Sequence, residues 1–418
     1  MLSPITSSMI APAANRVAHD LGATSPEFQP LLTSIFVLAY AFGPLLFGPL
    51  SQIFGRSRVV QIGNLFYLLF NIVCGFAKTP GQMLAFRFLT GLGGSAPLAI
   101  GGGVIYDCWT VETRGQAVTL YALAPLLGPI IGPIAGAWIA STTTWKWVFW
   151  STSIADAVIQ VVATIWLEET FAPVLLARKA RRVRKELPDT DKRRVITTFQ
   201  QGDDNKPSIL KQLMYPVRIL LMEPIAQLLG IYLAYIYGLV YLLLTSIPNI
   251  YVAVYHESIG IAGLHYLSFG IGMYVGSQLS NLVLDRIRRI LTTRNNNKGR
   301  PEFRLRWTAN AKFPWIAPDI GLLLTGVGIA VNYQAIQTYI IDTYTVRAAP
   351  ALGGLSLLRS LVGFALPLCS PAMYKHLGYG TGNTILAACA LGLGCPTLLL
   401  LWFFGRNLRN RSATAMHD

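Results

Sequence analysis

Charge is scarce in this chain of 418 residues: Asp, Glu, Lys and Arg together supply 13% of it, and acids are outnumbered by bases, 19 to 34. So few charges cannot cover a soluble protein of this size, and a mean hydropathy of +0.48 agrees. Cysteine is sparse as well. Cys74, Cys108, Cys369, Cys389 and Cys395 lie in or beside apolar runs without metal-ligand spacing, so neither a disulfide framework nor a zinc site is expected. The five histidines, His19, His256, His265, His376 and His417, are scattered at loops, ends or singly. The intramembrane cluster that a membrane-bound enzyme would need is therefore not expected. No Gly-x4-Gly-Lys-Ser/Thr pattern occurs, which argues against an ATP-driven pump. The first residues lack the basic start and unbroken apolar core of a signal peptide.

Long apolar runs are abundant. The stretch from Leu84 to Ile139 holds two of them, rich in glycine (Gly91, Gly93, Gly94, Gly101, Gly102, Gly103) and then in Pro125, Gly128, Pro129, Gly132, Pro133 and Gly136. In water such a composition would forbid helices. In a bilayer a run of about twenty apolar residues spans the hydrocarbon as a helix, and Gly and Pro are tolerated there because neighbouring helices approach closely and satisfy the freed backbone. A phosphate-binding reading of Gly101-Gly102-Gly103 would need a preceding strand, and none is indicated.

The runs fall at Met1–Ala18 (weak), Leu31–Ile53, Val59–Ala77, Gln82–Asp107, Gly115–Ala140 and Val148–Leu167, then Ile219–Thr245, Ile261–Leu284, Ile316–Tyr344, Ala351–Tyr374 and Thr384–Phe404. Between the two sets lies a strongly basic segment suited to a cytoplasmic linker along anionic headgroups. The predicted organisation is an all-α membrane protein with a first half over residues 1–168, a linker over 169–217, a second half over 218–405 and a cytoplasmic tail over 406–418. The net charge of +15 could suggest nucleic acid. Its basic residues, however, flank the apolar runs on alternate sides, as cytoplasmic loops do, and no nucleic-acid partner is expected.

The segments Gly48–Val60, Arg87–Gly91 and Gly128–Gly136, in that order, resemble motifs of the major facilitator superfamily, and Trp145–Phe149, Glu169–Pro173 and Gln337–Tyr339 resemble its fungal multidrug and polyamine branch in particular. GPLSQIFGRSRVV, from Gly48 to Val60, is similar to the family's loop between helices 2 and 3; Arg87 with Gly91 resembles its fourth-helix motif; Gly128, Pro129, Gly132, Pro133 and Gly136 resemble the fifth-helix motif of its drug:proton antiporters. Trp145–Phe149, Glu169–Pro173, Asn295–Asn297, Gly299–Glu302 and Gln337–Tyr339 add further matches. The resemblance implies two six-helix halves and proton-coupled export of small organic molecules (drugs, polyamines or secondary metabolites) by alternating access. It further implies a monomer in the plasma membrane, with the proton gradient as energy source and no cofactor. Gly48, Gln52, Gly55, Arg56 and Arg58 would form a cytoplasmic latch. The family usually has an acid where this chain has Gln52, so a weaker latch is expected.

Arg87 is the one charge in its run before the closing Asp107. The resemblance ties it to proton coupling; on the residues alone it either snorkels to the outer interface or faces a cavity or partner. Asp107 is expected at the cytoplasmic interface near Arg114. Tyr237 and Tyr241, four apart on one helical face, with Gln334 and Gln337, are candidates for a substrate pocket whose aromatic faces suit a bulky cation. Tyr232, Tyr235, Glu223, Tyr339 and Asp342 lie on the same two helices, and Asp342 is read as structural.

Two departures from the family are expected. The first helix is read as incomplete and interrupted by Pro4 and Pro12. The ninth helix is read as missing, because Arg286 to Trp315 holds too many Lys and Arg to span. A mis-spliced gene or a decayed, non-transporting remnant is therefore an open alternative to a working transporter.

Overall fold

The computed structural model describes residues 2–25, 27–109, 114–186, 209–279, 316–344 and 348–415. Among these the regular structure is all helical. In the first half run α1 (Ser3–Met9), α2 (Ala14–Asp20), α3 (Phe28–Phe54), α4 (Arg56–Cys74), α5 (Pro80–Gly94), α6 (Ala96–Cys108), α7 (Arg114–Thr142) and α8 (Lys146–Trp166). They are followed by α9 (Ala172–Glu186), α10 (Ile209–Met222), α11 (Pro224–Tyr255), α12 (Ile259–Leu279, through a 3₁₀ turn at Gly263–His265), α13 (Ile316–Tyr344) and α14 (Ala348–Ala415). Eight stretches of the described residues are long and apolar enough to cross a bilayer. Ile62, Ile165, Trp166 and Phe403 stand outward at 65–72% exposure, a surface that lipid, not water, can cover.

Proline and glycine set the helix ends. Pro80, Pro97 and Pro224 sit in first turns, where the missing N–H is no loss. Gly55 joins α3 to α4 at φ +97°. A Cβ there would also stand 2.0 Å from the Glu169 carboxylate, so only glycine fits on both counts.

Close helix packing in the interior depends on the glycine-rich faces. On α7, Gly128, Gly132 and Gly136 recur every four residues, the spacing of a ridge along one helix face. Cβ atoms at these positions would stand 2.5 Å from Pro4 Cβ, 2.3 Å from the Ile5 carbonyl oxygen and 1.9 Å from that of Met9. The fifth-helix motif thus lies directly on α1. The same device recurs where Gly91 of α5 meets the Phe36 backbone of α3, and where Gly272 and Gly276 of α12 meet the Leu323 and Val327 backbone of α13. Without a hydrophobic force between helices in lipid, such backbone approach supplies the packing energy.

Several expectations need correction. The first apolar segment breaks at Ile10–Ala13, around Pro12, whereas Pro4 lies in the first turn of α1 and interrupts nothing. The run Gln82–Asp107 is two helices, jointed at Ser95 ahead of Pro97. The runs Ala351–Tyr374 and Thr384–Phe404 keep their separation, since α14 is two helices that meet at a kink at Gly378, φ +71°. The expected linker contains the basic helix α9 and the start of α10. Asp285, the segment Arg286–Trp315 on which the expected loss of the ninth helix rests, and the matches Asn295–Asn297 and Gly299–Glu302 lie outside the described residues. The side chains of Arg114, Asp342, Arg406, Arg409 and Arg411 lie outside them too.

Candidate functional site

Arg87 is wholly buried, with 0% exposure, which excludes snorkelling. Its guanidinium donates from Nε to the Leu32 carbonyl at 3.2 Å, from Nη1 to that of Thr6 at 3.2 Å and from Nη2 to that of Ser7 at 3.0 Å. Thr6 and Ser7 belong to the last turn of α1, which the break at Ile10 leaves without intrahelical donors for its final carbonyls. A cation at that negative end of the helix is favoured. The Phe36 and Phe149 rings lie 4.7 and 5.9 Å from the guanidinium carbon, adding cation–π attraction. Arg87 therefore binds α1, α3 and α5 together using backbone carbonyls alone. Around it, Ser3 and Tyr40 share a hydrogen bond of 2.5 Å, as do Thr6 and Tyr67 at 2.6 Å.

At the end of the molecule that carries the basic segments, Arg56 forks onto the Asp107 carboxylate through Nε and Nη2. Its backbone N–H donates to Glu169 Oε1 at 2.8 Å, and Glu169 also accepts from the Thr170 and Phe171 amides. Arg178 of α9 stands 3.8 Å from the same carboxylate. Asp107 thus faces Arg56; the expected neighbour Arg114 has its side chain outside the described residues. Gln52 and Arg58 are exposed and have no ion pair or side-chain hydrogen bond among the described residues, and a Cβ on Gly48 would meet nothing within 4 Å. Of the five latch residues, Gly55 and Arg56 make the junction, and the acid comes from the far end of α6.

In the second half the four pocket candidates lie two on α11 and two on α13. Tyr237 and Tyr241 of α11 lie with ring centroids 5.2 Å apart, and the Tyr241 hydroxyl reaches Ser7 Oγ across the two halves at 3.2 Å. Gln334 and Gln337 are half-buried on α13. Beside them is a residue that the sequence reading passed over. Arg359 of α14 donates from Nη1 to the Tyr333 hydroxyl at 2.5 Å, with its guanidinium carbon 4.9 Å from the Tyr237 ring centre. Its signal was present, since it is the single charge in the run before Lys375. Tyr232 and Tyr235, by contrast, are spent on structure, donating to Asn332 Oδ1 and to the Leu386 carbonyl.

At the opposite end, His265 is not solitary. Its Nδ1 is 2.9 Å from Asp319 and its Nε2 2.8 Å from Glu257, while Tyr251 stacks on the ring at 3.6 Å and donates to Asp319. The sequence does not mark this contact, because 54 residues separate His265 from Asp319. No group suited to holding a metal occurs among the described residues. Near this end a cavity of about 320 Å³ opens between the halves, lined by Gln29 and Thr33 on one side and Asn249, Tyr374 and Lys375 on the other.

The family model of the Major Facilitator Superfamily matches residues 1–294. An efflux pump of Penicillium aethiopicum, vrtL, is 43% identical, covering 99% of this chain and 85% of its own. An uncharacterized transporter of Schizosaccharomyces pombe is 39% identical, covering 99% and 87%. Among solved structures, a D-xylose-proton symporter superposes with a TM-score of 0.65 at 15% identity, covering 96% of this chain and 94% of its own; at that identity the likeness speaks for the fold alone. Glycine-ridged helices, lipid-facing apolar surfaces and these relatives agree that this is a membrane transporter and not an enzyme, and the chain belongs to the major facilitator superfamily.

Proposed function

We propose that the chain exports small organic molecules by alternating access, driven by the proton gradient. The observation that carries this reading is the placement of Arg87: a fixed, fully buried charge at the junction of α1, α3 and α5, one residue's reach from the contact of Ser7 with Tyr241 of the other half. A permanent charge held by carbonyls where the halves touch responds to any change in local proton occupancy, and a hydroxyl contact is weak enough to exchange during rocking. The two rocking bodies are the segments before and after the basic linker. Arg56, Asp107 and Glu169 stiffen the cytoplasmic end of the first body, and Asp107 supplies the charge that Gln52 lacks. Export is the direction named for the efflux pump vrtL. The transporter acts as a monomer in the plasma membrane, without a bound cofactor.

The test is accumulation in yeast cells stripped of their own efflux pumps and loaded with a panel of fluorescent organic compounds. Cells carrying the chain are expected to retain less of at least one compound than cells without it, and a protonophore is expected to erase the difference. Equal retention, or a difference that survives the protonophore, contradicts the reading.

A further inference from the structure

Among the described residues two arginines lie in the bilayer-spanning interior, and their surroundings differ. Arg87 spends Nε, Nη1 and Nη2 on three carbonyls. Arg359 donates once, to Tyr333, and its Nε is buried with no hydrogen-bond partner. No carboxylate lies within ion-pair distance of it among the described residues. Of the five N–H donors of a guanidinium, the edge formed by Nε and Nη2 is left uncommitted. That edge carries the parallel pair of N–H groups that receives a carboxylate bidentately.

Arg359 sits about 16 Å along α14 from Ala348, deep enough that an unpaired charge is costly. It is also at the meeting of the halves. One turn on, a Cβ at Gly363 would touch both Tyr237 of α11 and Val37 of α3. The neighbours are ring faces: Tyr237 at 4.9 Å and Tyr333 at 5.8 Å.

Of these two rings, Tyr237 was expected, with Tyr241, to receive a cationic substrate. The guanidinium of Arg359 already occupies the face of Tyr237, and a second cation would meet like charge in a low-dielectric site. We propose that Arg359 is the substrate-recognising residue of this cluster and that it takes organic anions, a carboxylate on a planar aromatic body, with Tyr237 and Tyr333 against the body. This proposal rests on the transport reading above and names its substrate class.

The experiment is equilibrium dialysis of the purified full chain in detergent with three probes of one shape: 2-naphthoate, 2-naphthamide and 2-naphthylmethylammonium. The wild type is expected to hold naphthoate in preference to the other two. Arg359→Gln is expected to weaken naphthoate by roughly ten- to a hundredfold, the worth of a charge-assisted hydrogen-bond pair, while the amide changes little. Arg359→Lys, which keeps the charge and loses the fork, is expected to fall between and serves if the glutamine variant is not monodisperse. Equal binding of naphthoate and the ammonium probe, an unchanged preference in the variants, or no binding of any probe by monodisperse wild type overturns the proposal. Arg359-dependent binding of naphthoate without its movement under a gradient would instead sink the transport reading and leave the site standing. Gradient-driven movement of the ammonium probe, unaffected by the variants, would do the reverse.

Discussion

Arg87→Lys is expected to leave folded protein in the membrane at wild-type abundance and to lower gradient-driven export by at least about tenfold, the equivalent of one lost charge-assisted hydrogen bond. The ammonium keeps the charge, so the negative end of α1 stays compensated. What it loses is reach. Three acceptors from two helices, the carbonyls of Leu32, Thr6 and Ser7, are met by a planar group with donors in fixed directions, and a single ammonium nitrogen cannot span them. The lateral packing against Phe36 and Phe149 weakens as well. The measurement is initial export rate normalised to protein quantified in the membrane. A lysine variant that exports at the wild-type rate would remove Arg87 from coupling and leave it a structural tie.

The second large effect concerns the ridge on α7. Gly136→Leu is expected to abolish recovery of monodisperse protein, because its Cβ alone would stand 1.9 Å from the Met9 carbonyl oxygen and 2.9 Å from the carbonyl carbon. Backbone cannot turn aside as a side chain can. Relief requires α1 to move away, which withdraws Thr6 and Ser7 from Arg87 and Tyr67 from Thr6. Overpacking costs typically about 1–3 kcal/mol when side chains adjust; here it adds to the loss of buried hydrogen bonds, against a total stability of only about 5–15 kcal/mol. Gly102→Leu is the matched control, since a Cβ at Gly102 meets nothing within 4 Å. Size-exclusion profiles of the two variants in detergent decide it. Similar profiles would mean that the glycine spacing on α7 is not what seats α1.

The residues differ in how far they could be read before the structure. The helical class followed from run length and charge scarcity, because lipid leaves the backbone few alternatives. The period of Gly128, Gly132 and Gly136 was visible, but its partner was not: α1 lies more than a hundred residues earlier, and only folding brings it alongside. Arg87 stood out as a lone charge in an apolar run. Its acceptors are main-chain carbonyls, which every residue has and no pattern marks. Arg359 satisfies the same lone-charge rule, but its partners Tyr333 and Tyr237 lie on two other helices and no sequence spacing marks them. The junction of His265 with Asp319 and Glu257 was illegible for a different reason, since it joins the start of α12 to α13 across a long stretch of sequence. The latch was legible only in part. Its loop was recognised, whereas the acid that holds Arg56 comes from Asp107 at the end of α6, a position the loop pattern does not contain.

The central claim, export coupled to protons, is tested most directly in proteoliposomes holding the purified chain, with an imposed pH gradient and with substrate and lumenal pH followed in the same vesicles. A compound identified in the cell panel is expected to accumulate on the acidic side while protons leave that side faster than in protein-free vesicles, and both fluxes are expected to fall together in Arg87→Lys. Substrate movement that is indifferent to the gradient, or that proceeds without any matching change in proton flux, would contradict the account.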